Sequence, residues 1–388
     1  MLEQLLNNLF KFMDDTAINY VIARGFKTLP EKLEGGDIDI ILDKQNEQKV
    51  INYISNLDGI YITSFAKRYG TTNLFLCWFD GNKIDGVQID LMTNLNYKGI
   101  TYLNVDKILA AKQKYKNFYV ACDSHQQILH LLPHYFYTKQ ANPKYPDLGD
   151  YNASEYNNFI GKNWLQALVK MPVYYLYELR NILLQPYRTR LVFLGPDGAG
   201  KSTAIEGLLN HINKMVKLHR LTHLKPVLFL KKRSASRGTV TDPHGKPKRS
   251  WFSSNLKLMM YLAEYWLDFY KKPARTATLD IYDRYIHDLQ IDAERYRFGG
   301  SKWLAKIVCK LCPKPYKFIL INADANTIQA RKSEVPPEVT AKQCKQYQEF
   351  IKQVNGIVID GNKNVDEVQN ELLEELANTL NQRSLAKL

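Results

Sequence analysis

Cysteine is scarce in this chain: five in 388 residues, at Cys77, Cys122, Cys309, Cys312 and Cys344. An odd, thinly spread set excludes a disulfide framework and suits reduced thiols. Cys309 and Cys312 have the spacing of a metal pair, but no second Cys or His pair stands near them, so they read as structural thiols and no zinc site is expected. Long apolar runs are also missing. The best stretch, 164–184, is broken by Lys170, Glu178 and Arg180, which excludes a transmembrane anchor. The first twelve residues lack a basic leader and a small-residue cleavage site, while Leu2, Leu5, Leu6 and Leu9 recur at helical spacing, so a secretion signal is not expected. These absences point to the cytoplasm. Only 20 Gly and 15 Pro are present, which excludes collagen-like and broadly disordered classes, and no internal repeat is found. His125, His130 and His134 lie close together, but Pro133 is expected to interrupt their helix and no ligand set is completed.

With 45% hydrophobic and 24% charged residues the chain has the material for two domains, or three small ones. Its net charge of +14 is unevenly placed: residues 201–250 hold twelve Lys/Arg against two Asp/Glu. Acid is nearly absent there, and the window attracts polyanions, whether nucleoside phosphates, nucleic acid or an anionic membrane surface.

Three segments follow from the patterning. In 1–105, an apolar run at Tyr20 leads through Gly25 to Gly35-Gly36-Asp37-Ile38-Asp39-Ile40, which alternates like a strand. Further strands are predicted at 61–64, 73–79 and 86–92, with a helix near 49–56, making a small α/β unit. Segment 106–185 reads as a helical annex and linker, with helices at 123–132 and 164–184 around a loop at 140–150. In 186–388 strand, glycine-rich turn and helix alternate, with strands at 277–282, 317–322 and 356–359, predicting a parallel sheet covered by helices. Residues 231–250 are nearly free of apolar side chains and read as a basic loop.

The strongest motif is Leu191-Val-Phe-Leu followed by Gly195-Pro-Asp197-Gly198-Ala-Gly200-Lys201-Ser202-Thr203, a P-loop between a strand and a helix. Glycines let backbone N–H groups curl around phosphate oxygens, the helix N-terminus favours negative charge, Lys201 reaches the β/γ phosphates and Ser202 a Mg²⁺ ion. A second element, Asp283-Arg284-Tyr285, puts an acid for the metal shell and a guanidinium for the transferring group at a strand end.

With these motifs the region 188–380 resembles the thymidylate kinase family of nucleoside-monophosphate kinases. The resemblance implies ATP- and Mg²⁺-dependent phosphoryl transfer, with Asp197 facing the acceptor's hydroxyls and Arg331 in a lid closing over ATP. The family's acceptor-holding Arg-Glu-Pro segment is replaced by His223-Leu-Lys225-Pro226, and Asp288 stands where a Ser follows Asp-Arg-Tyr. This variant is similar to thymidylate-kinase-like proteins of bacterial surface-polysaccharide synthesis, a resemblance that implies a sugar or a lipid-linked glycan as an alternative acceptor.

Asp37 and Asp39, two apart on one strand, share a face about 7 Å apart, and Asp90 supplies a third carboxylate from a neighbouring strand. Three such groups suit a two-metal site for nucleotidyl transfer. The set Gly25, Gly35-Gly36-Asp37-Ile-Asp39 and Asp90 resembles the polymerase β-like nucleotidyltransferase superfamily over 18–95, with Phe26 where Ser or Gly is usual. An inactive, substrate-recognising relic of that fold is the alternative.

The leading expectation is a P-loop kinase fused to a nucleotidyltransferase-like domain, acting on a nucleotide plus an anionic or hydroxyl acceptor. The alternatives are a nucleotidyltransferase with the kinase fold as nucleotide sensor, and an ATP-switched polyanion-binding module. Nucleic acid is not expected as a partner, a membrane surface is expected at most peripherally at the inner face, and a homodimer is left open. The aromatic stretch from Trp251 to Tyr270 has helical spacing and is expected to pack on the kinase sheet, with a membrane-surface helix as the alternative.

Overall fold

A computed structural model describes residues 1–81, 83–140, 142–143, 156–224, 247–271, 274, 276–332 and 335–388. The chain forms two compact units, Met1–Leu184 with Ala377–Leu388, and Gln185–Leu376. Unit 1 runs α1 (Leu2–Asp15), β1 (Tyr20–Ile22), β2 (Asp37–Leu42), α2 (Lys44–Ser55), β3 (Tyr61–Arg68), β4 (Thr71–Asp80), β5 (Lys83–Met92), β6 (Leu95–Tyr97), β7 (Ile100–Leu103), α3 (Val105–Ala110), β8 (Gln113–Tyr115), β9 (Phe118–Val120), α4 (Asp123–Thr138), α5 (Phe159–Lys162) and α6 (Trp164–Leu184). Unit 2 runs β10 (Arg188–Leu194), α7 (Lys201–His211), β11 (Leu218–His223), α8 (Trp251–Lys271), β12 (Thr278–Asp283), α9 (Asp288–Ile291), α10 (Lys302–Leu311), β13 (Lys317–Asn322), α11 (Ala325–Arg331), α12 (Pro337–Gln353), β14 (Ile357–Asp360) and α13 (Val365–Leu385), whose last turns belong to unit 1.

Unit 1 is built on a seven-stranded mixed sheet in the order β3-β4-β5-β2-β1-β9-β8. Strands β8 and β9, at 113–120, lie in this sheet, so the unit extends past residue 105; the pairing of Ile22 with Val120 joins the later segment to the earlier one. The hairpin β3–β4–β5 is longer than its apolar cores suggest, because ladder hydrogen bonds carry the pairing out to Arg68 and Asp80. Helix α4 passes through Pro133 to Thr138 rather than stopping before it. The ring removes one backbone donor, and burial of Leu132 before it and of Tyr135 and Phe136 on the following turn outweighs that loss.

Unit 2 is a five-stranded parallel sheet, β11-β12-β10-β13-β14, flanked by helices. Strands β10 and β13 carry apolar runs buried on both faces, as a doubly covered parallel sheet requires, whereas β11 at the sheet edge is largely polar and part exposed. Val192, Leu194, Tyr282 and Leu320 pack with Leu258 and Tyr265 of α8, Val308 of α10 and Tyr347 of α12. Leu191, Phe193, Ile319 and Ile321 alternate to the other face and are fully buried there as well. Only one stripe of α8 packs on this core: Trp251, Phe252, Trp266 and Tyr270 are exposed, contrary to the expectation for the aromatic stretch. Of the basic stretch, 231–246 lies outside the described residues, as do 141 and 144–150 of the expected loop. Among the described residues no helix is long and apolar enough to cross a membrane.

Candidate functional site

The central strand β10 of unit 2 ends at Leu194, and the chain turns through Gly195, Gly198 and Gly200, all with positive φ, into α7. Gly195 has φ +143°, and a Cβ there would lie 2.7 Å from the carbonyl oxygen of Ile321. The turn is therefore closed to side chains on its inner wall. Lys201, nearly buried at the first position of α7, donates from Nζ to the carbonyls of Gly195 and Pro196, each at 2.7 Å. Burial and the neighbouring Arg284 push its ammonium down to about 7, against the opposing pull of Asp197, Asp283 and Asp288. Ser202 and Thr203 follow on the exposed start of the helix.

Asp283 ends β12 directly beside β10, paired in register with Phe193. Its Oδ2 lies 3.0 Å from Nδ1 of His223, while Oδ1 is buried with no hydrogen-bond partner among the described residues. Arg284, at φ +70°, turns away from the strand and is almost buried. Its guanidinium donates to Asp197 Oδ1 at 2.5 Å, to Asp288 Oδ2 at 2.8 Å and to Tyr347 Oη at 3.0 Å. Asp197 also takes an ion pair from Arg295. Burial alone would raise the Asp197 carboxyl, but Arg284, Arg295 and Lys201 outweigh it and hold it well below the usual carboxylate range.

Asp288 is fully buried and accepts three hydrogen bonds, from Arg284 at 2.8 Å and from Tyr296 and Tyr347 at 2.6 Å each. Burial works against its charge; Arg284 and the two phenols more than compensate and lower its pKa. Arg284 is thus held by two carboxylates and a phenol rather than presented free at a strand end. Arg295, Tyr296 and Tyr347 carry no motif of their own. A partial signal for the first two is the polar run Asp292-Ala-Glu-Arg295-Tyr296-Arg297 after Asp283-Arg284-Tyr285; Tyr347 has none.

Arg331 is the last residue of α11 and donates to the carbonyl of Gly361 at 2.8 Å. Together with Gly200, Thr203, Gly361 and Lys363 it lines a cavity of about 160 Å³ against the phosphate loop. A larger cavity, about 410 Å³, has Asp292, Glu294, Gln343, Lys302, Lys306 and Lys342 on its walls, next to Arg295 in sequence.

In unit 1, Asp39 of β2 is paired in parallel register with Asp90 of β5, and Asp37 with Gln88. Two-residue periodicity and that register put the three aspartates on one face, and a carboxylate oxygen of each lies within 4.8 Å of the others. Burial raises the Asp90 carboxyl to about 6; Gln88 and Asn73 hydrogen bonds oppose this, and Asp39 and Asp37 add to it. Arg24, not singled out by the sequence pattern, makes an ion pair with Asp39. Phe26 is buried edge-on against Tyr115, 5.1 Å between ring centroids.

No family model matches the chain, and no curated protein matches it. Among solved structures the chain is similar to the deoxyadenosine kinase of M. mycoides determined with bound dATP, at 14% identity and a TM-score of 0.32, covering 48% of this chain and 99% of that one.

Proposed function

We propose that the chain is an ATP-dependent phosphotransferase whose catalytic centre is the phosphate loop of unit 2. The observation that carries this is the joint placement of three positive-φ glycines, the buried Lys201 at a helix N-terminus and the Asp283 carboxylate beside them. Backbone N–H groups of 197–201 and the α7 dipole would hold the polyphosphate, and Lys201 would exchange its two carbonyl partners for phosphate oxygens. The donor set fits Mg²⁺: Ser202 and Asp283 would hold it, and the orphaned Oδ1 of Asp283 is a hard ligand lacking a partner. When bound, that ion supplies charge neutralisation on the phosphates. Arg284 is fixed by Asp197, Asp288 and Tyr347, so its guanidinium costs no reorganisation as charge develops. The cavity at Arg331 and Gly361 would take the base of the nucleotide, and the one beside Asp292 the acceptor.

For the acceptor we propose a hydroxyl group on a sugar, a glycan or a nucleotide, consistent with the lysines around the larger cavity and with the missing Arg-Glu-Pro segment. The test is γ-phosphate transfer from ATP with Mg²⁺ to nucleoside monophosphates, sugars and glycans, wild type beside Lys201→Ala. Transfer that survives Lys201→Ala, or none to any acceptor, overturns the proposal.

The carboxylate cluster of unit 1 favours a second reading for that unit, nucleotidyl transfer or recognition of a nucleotide. Asp37, Asp39 and Asp90 are oxygen donors that fit a divalent cation, while Arg24 already neutralises one of them. Labelled product from an α-phosphate, lost in Asp37→Ala, would establish catalysis; binding of a nucleoside triphosphate without transfer would make unit 1 a recognition domain.

A further inference from the structure

Helices α8 and α10 of unit 2 lie side by side. The backbone N–H groups of Gly299 and Ser301, at the start of α10, donate to Ser254 Oγ and Asn255 Oδ1 at 3.1 and 3.0 Å. At the other end, Trp266 Nε1 donates to the carbonyl of Leu311 at 3.0 Å. The 21 residues of α8 extend about 30 Å. One stripe of it, with Leu258, Tyr261 and Tyr265, packs on the sheet. A second stripe at helical spacing, Phe252, Leu256, Met259, Ala263, Trp266 and Tyr270, faces solvent, Phe252 being 72% exposed and Leu256 53%. Beside it on α10 stands Trp303, 70% exposed.

The charges on this face have one sign. Lys271, Lys310 and Lys314 are exposed, and α10 has no acidic residue. Both acids of α8 are withdrawn: Glu264 is fully buried, and Asp268 lies 3.7 Å from the guanidinium of Arg188. Two copies of such a face would repel each other. Its apolar stripe includes Leu and Met as well as aromatic rings, which base stacking does not call for. Exposed aromatic and aliphatic side chains beside lysines, with no exposed acid among the described residues of α8 and α10, match the headgroup boundary of an anionic bilayer.

We propose that the α8–α10 face docks unit 2 on an anionic lipid surface, with the α8 stripe in the headgroup boundary and the lysines on lipid phosphates. This would present the catalytic centre to a substrate carried at the membrane, but the docking itself does not depend on the kinase reading.

The experiment is co-sedimentation of the full chain with phosphatidylcholine vesicles, with and without phosphatidylglycerol, across a salt series. Partition is expected on the anionic vesicles only and should weaken with salt. K271E/K310E/K314E should lower it by about a hundredfold or more, at about fivefold per lysine removed. Phe252→Ser/Leu256→Ser/Met259→Ser should lower it by at least about tenfold while keeping the salt dependence. All these side chains are at the surface, and thermal melting and circular dichroism check the fold of each variant. Equal partition of wild type and both variants, or none on anionic vesicles, overturns the proposal. So does loss of binding in Leu168→Ser/Val169→Ser/Leu176→Ser of α6 with the α8–α10 variants unaffected. Release by a polynucleotide at matched charge would reassign the face to nucleic acid, and a dimer lost in the stripe variant would reassign it to a second copy.

Discussion

His287 gives the chain a defined acid sensitivity. The ring stacks on Tyr285 and meets Phe318 and Phe350 edge-on or tilted at 5.1 and 5.9 Å, and its Nδ1 is buried without a hydrogen-bond partner among the described residues. Burial pushes its pKa down from 6.5 to about 4. The unfolded chain therefore takes up a proton at this side chain near pH 6.5, whereas the folded one resists until about pH 4. Stability from this residue is complete above about pH 6.5 and is lost as pH falls through that window. At 1.36 kcal/mol per pH unit the full loss is about 3 kcal/mol, with about 2 kcal/mol gone by pH 5. His287→Phe keeps an aromatic ring between Phe318 and Phe350 and removes the titration. Urea unfolding of wild type and variant from pH 7.5 to 4 should give curves that diverge by that amount, the carboxylates common to both cancelling. The imidazole proton resonance should titrate near 4. Parallel stability curves, or a resonance midpoint near 6.5, would refute the reasoning.

Three further outcomes follow from specific contacts. Gly195→Ala forces a Cβ to 2.7 Å from the Ile321 carbonyl, so it should cost about 1–3 kcal/mol and abolish nucleotide binding, read by thermal melting and by fluorescent-nucleotide titration. Asp288→Ala leaves Arg284, Tyr296 and Tyr347 without their shared acceptor and should cost about 3–5 kcal/mol in urea unfolding, while Asn, which turns an NH₂ toward these donors, should recover little. Arg24→Ala removes the cation paired with Asp39; because Arg24 is 34% exposed the cost should stay near about 1–2 kcal/mol. Millimolar Mg²⁺ should then raise the melting temperature of that variant more than that of wild type, and equal shifts would argue against a cation at the aspartates.

What could be read along the chain was whatever consecutive residues decide. The strand, glycine turn and helix around Lys201 are contiguous, so spacing and backbone freedom reveal them without a partner. Asp37 and Asp39 share a face because a strand repeats every two residues. Strands β12, β13 and β14 were legible as short apolar runs, within a residue or so of their ends.

The rest depended on which distant segments meet. Asp288, Tyr296 and Tyr347 look like ordinary polar or aromatic positions until folding brings α9, the following loop and α12 around Arg284. Asp90 is expected near Asp37 and Asp39 from the strand pattern, but the register that sets it opposite Asp39, and the pairing that carries β8 and β9 into the first sheet, come from ladders between distant segments. Helix α4 continues through Pro133 because packing on the next turn exceeds one lost backbone bond. The same holds for α8: its period shows in the sequence, but which apolar stripe is buried was decided by the sheet beneath it. Local spacing determines an element's type and the chemistry it bears; the partner it meets is set by long-range packing, whose energy lies in contacts between residues far apart in the chain.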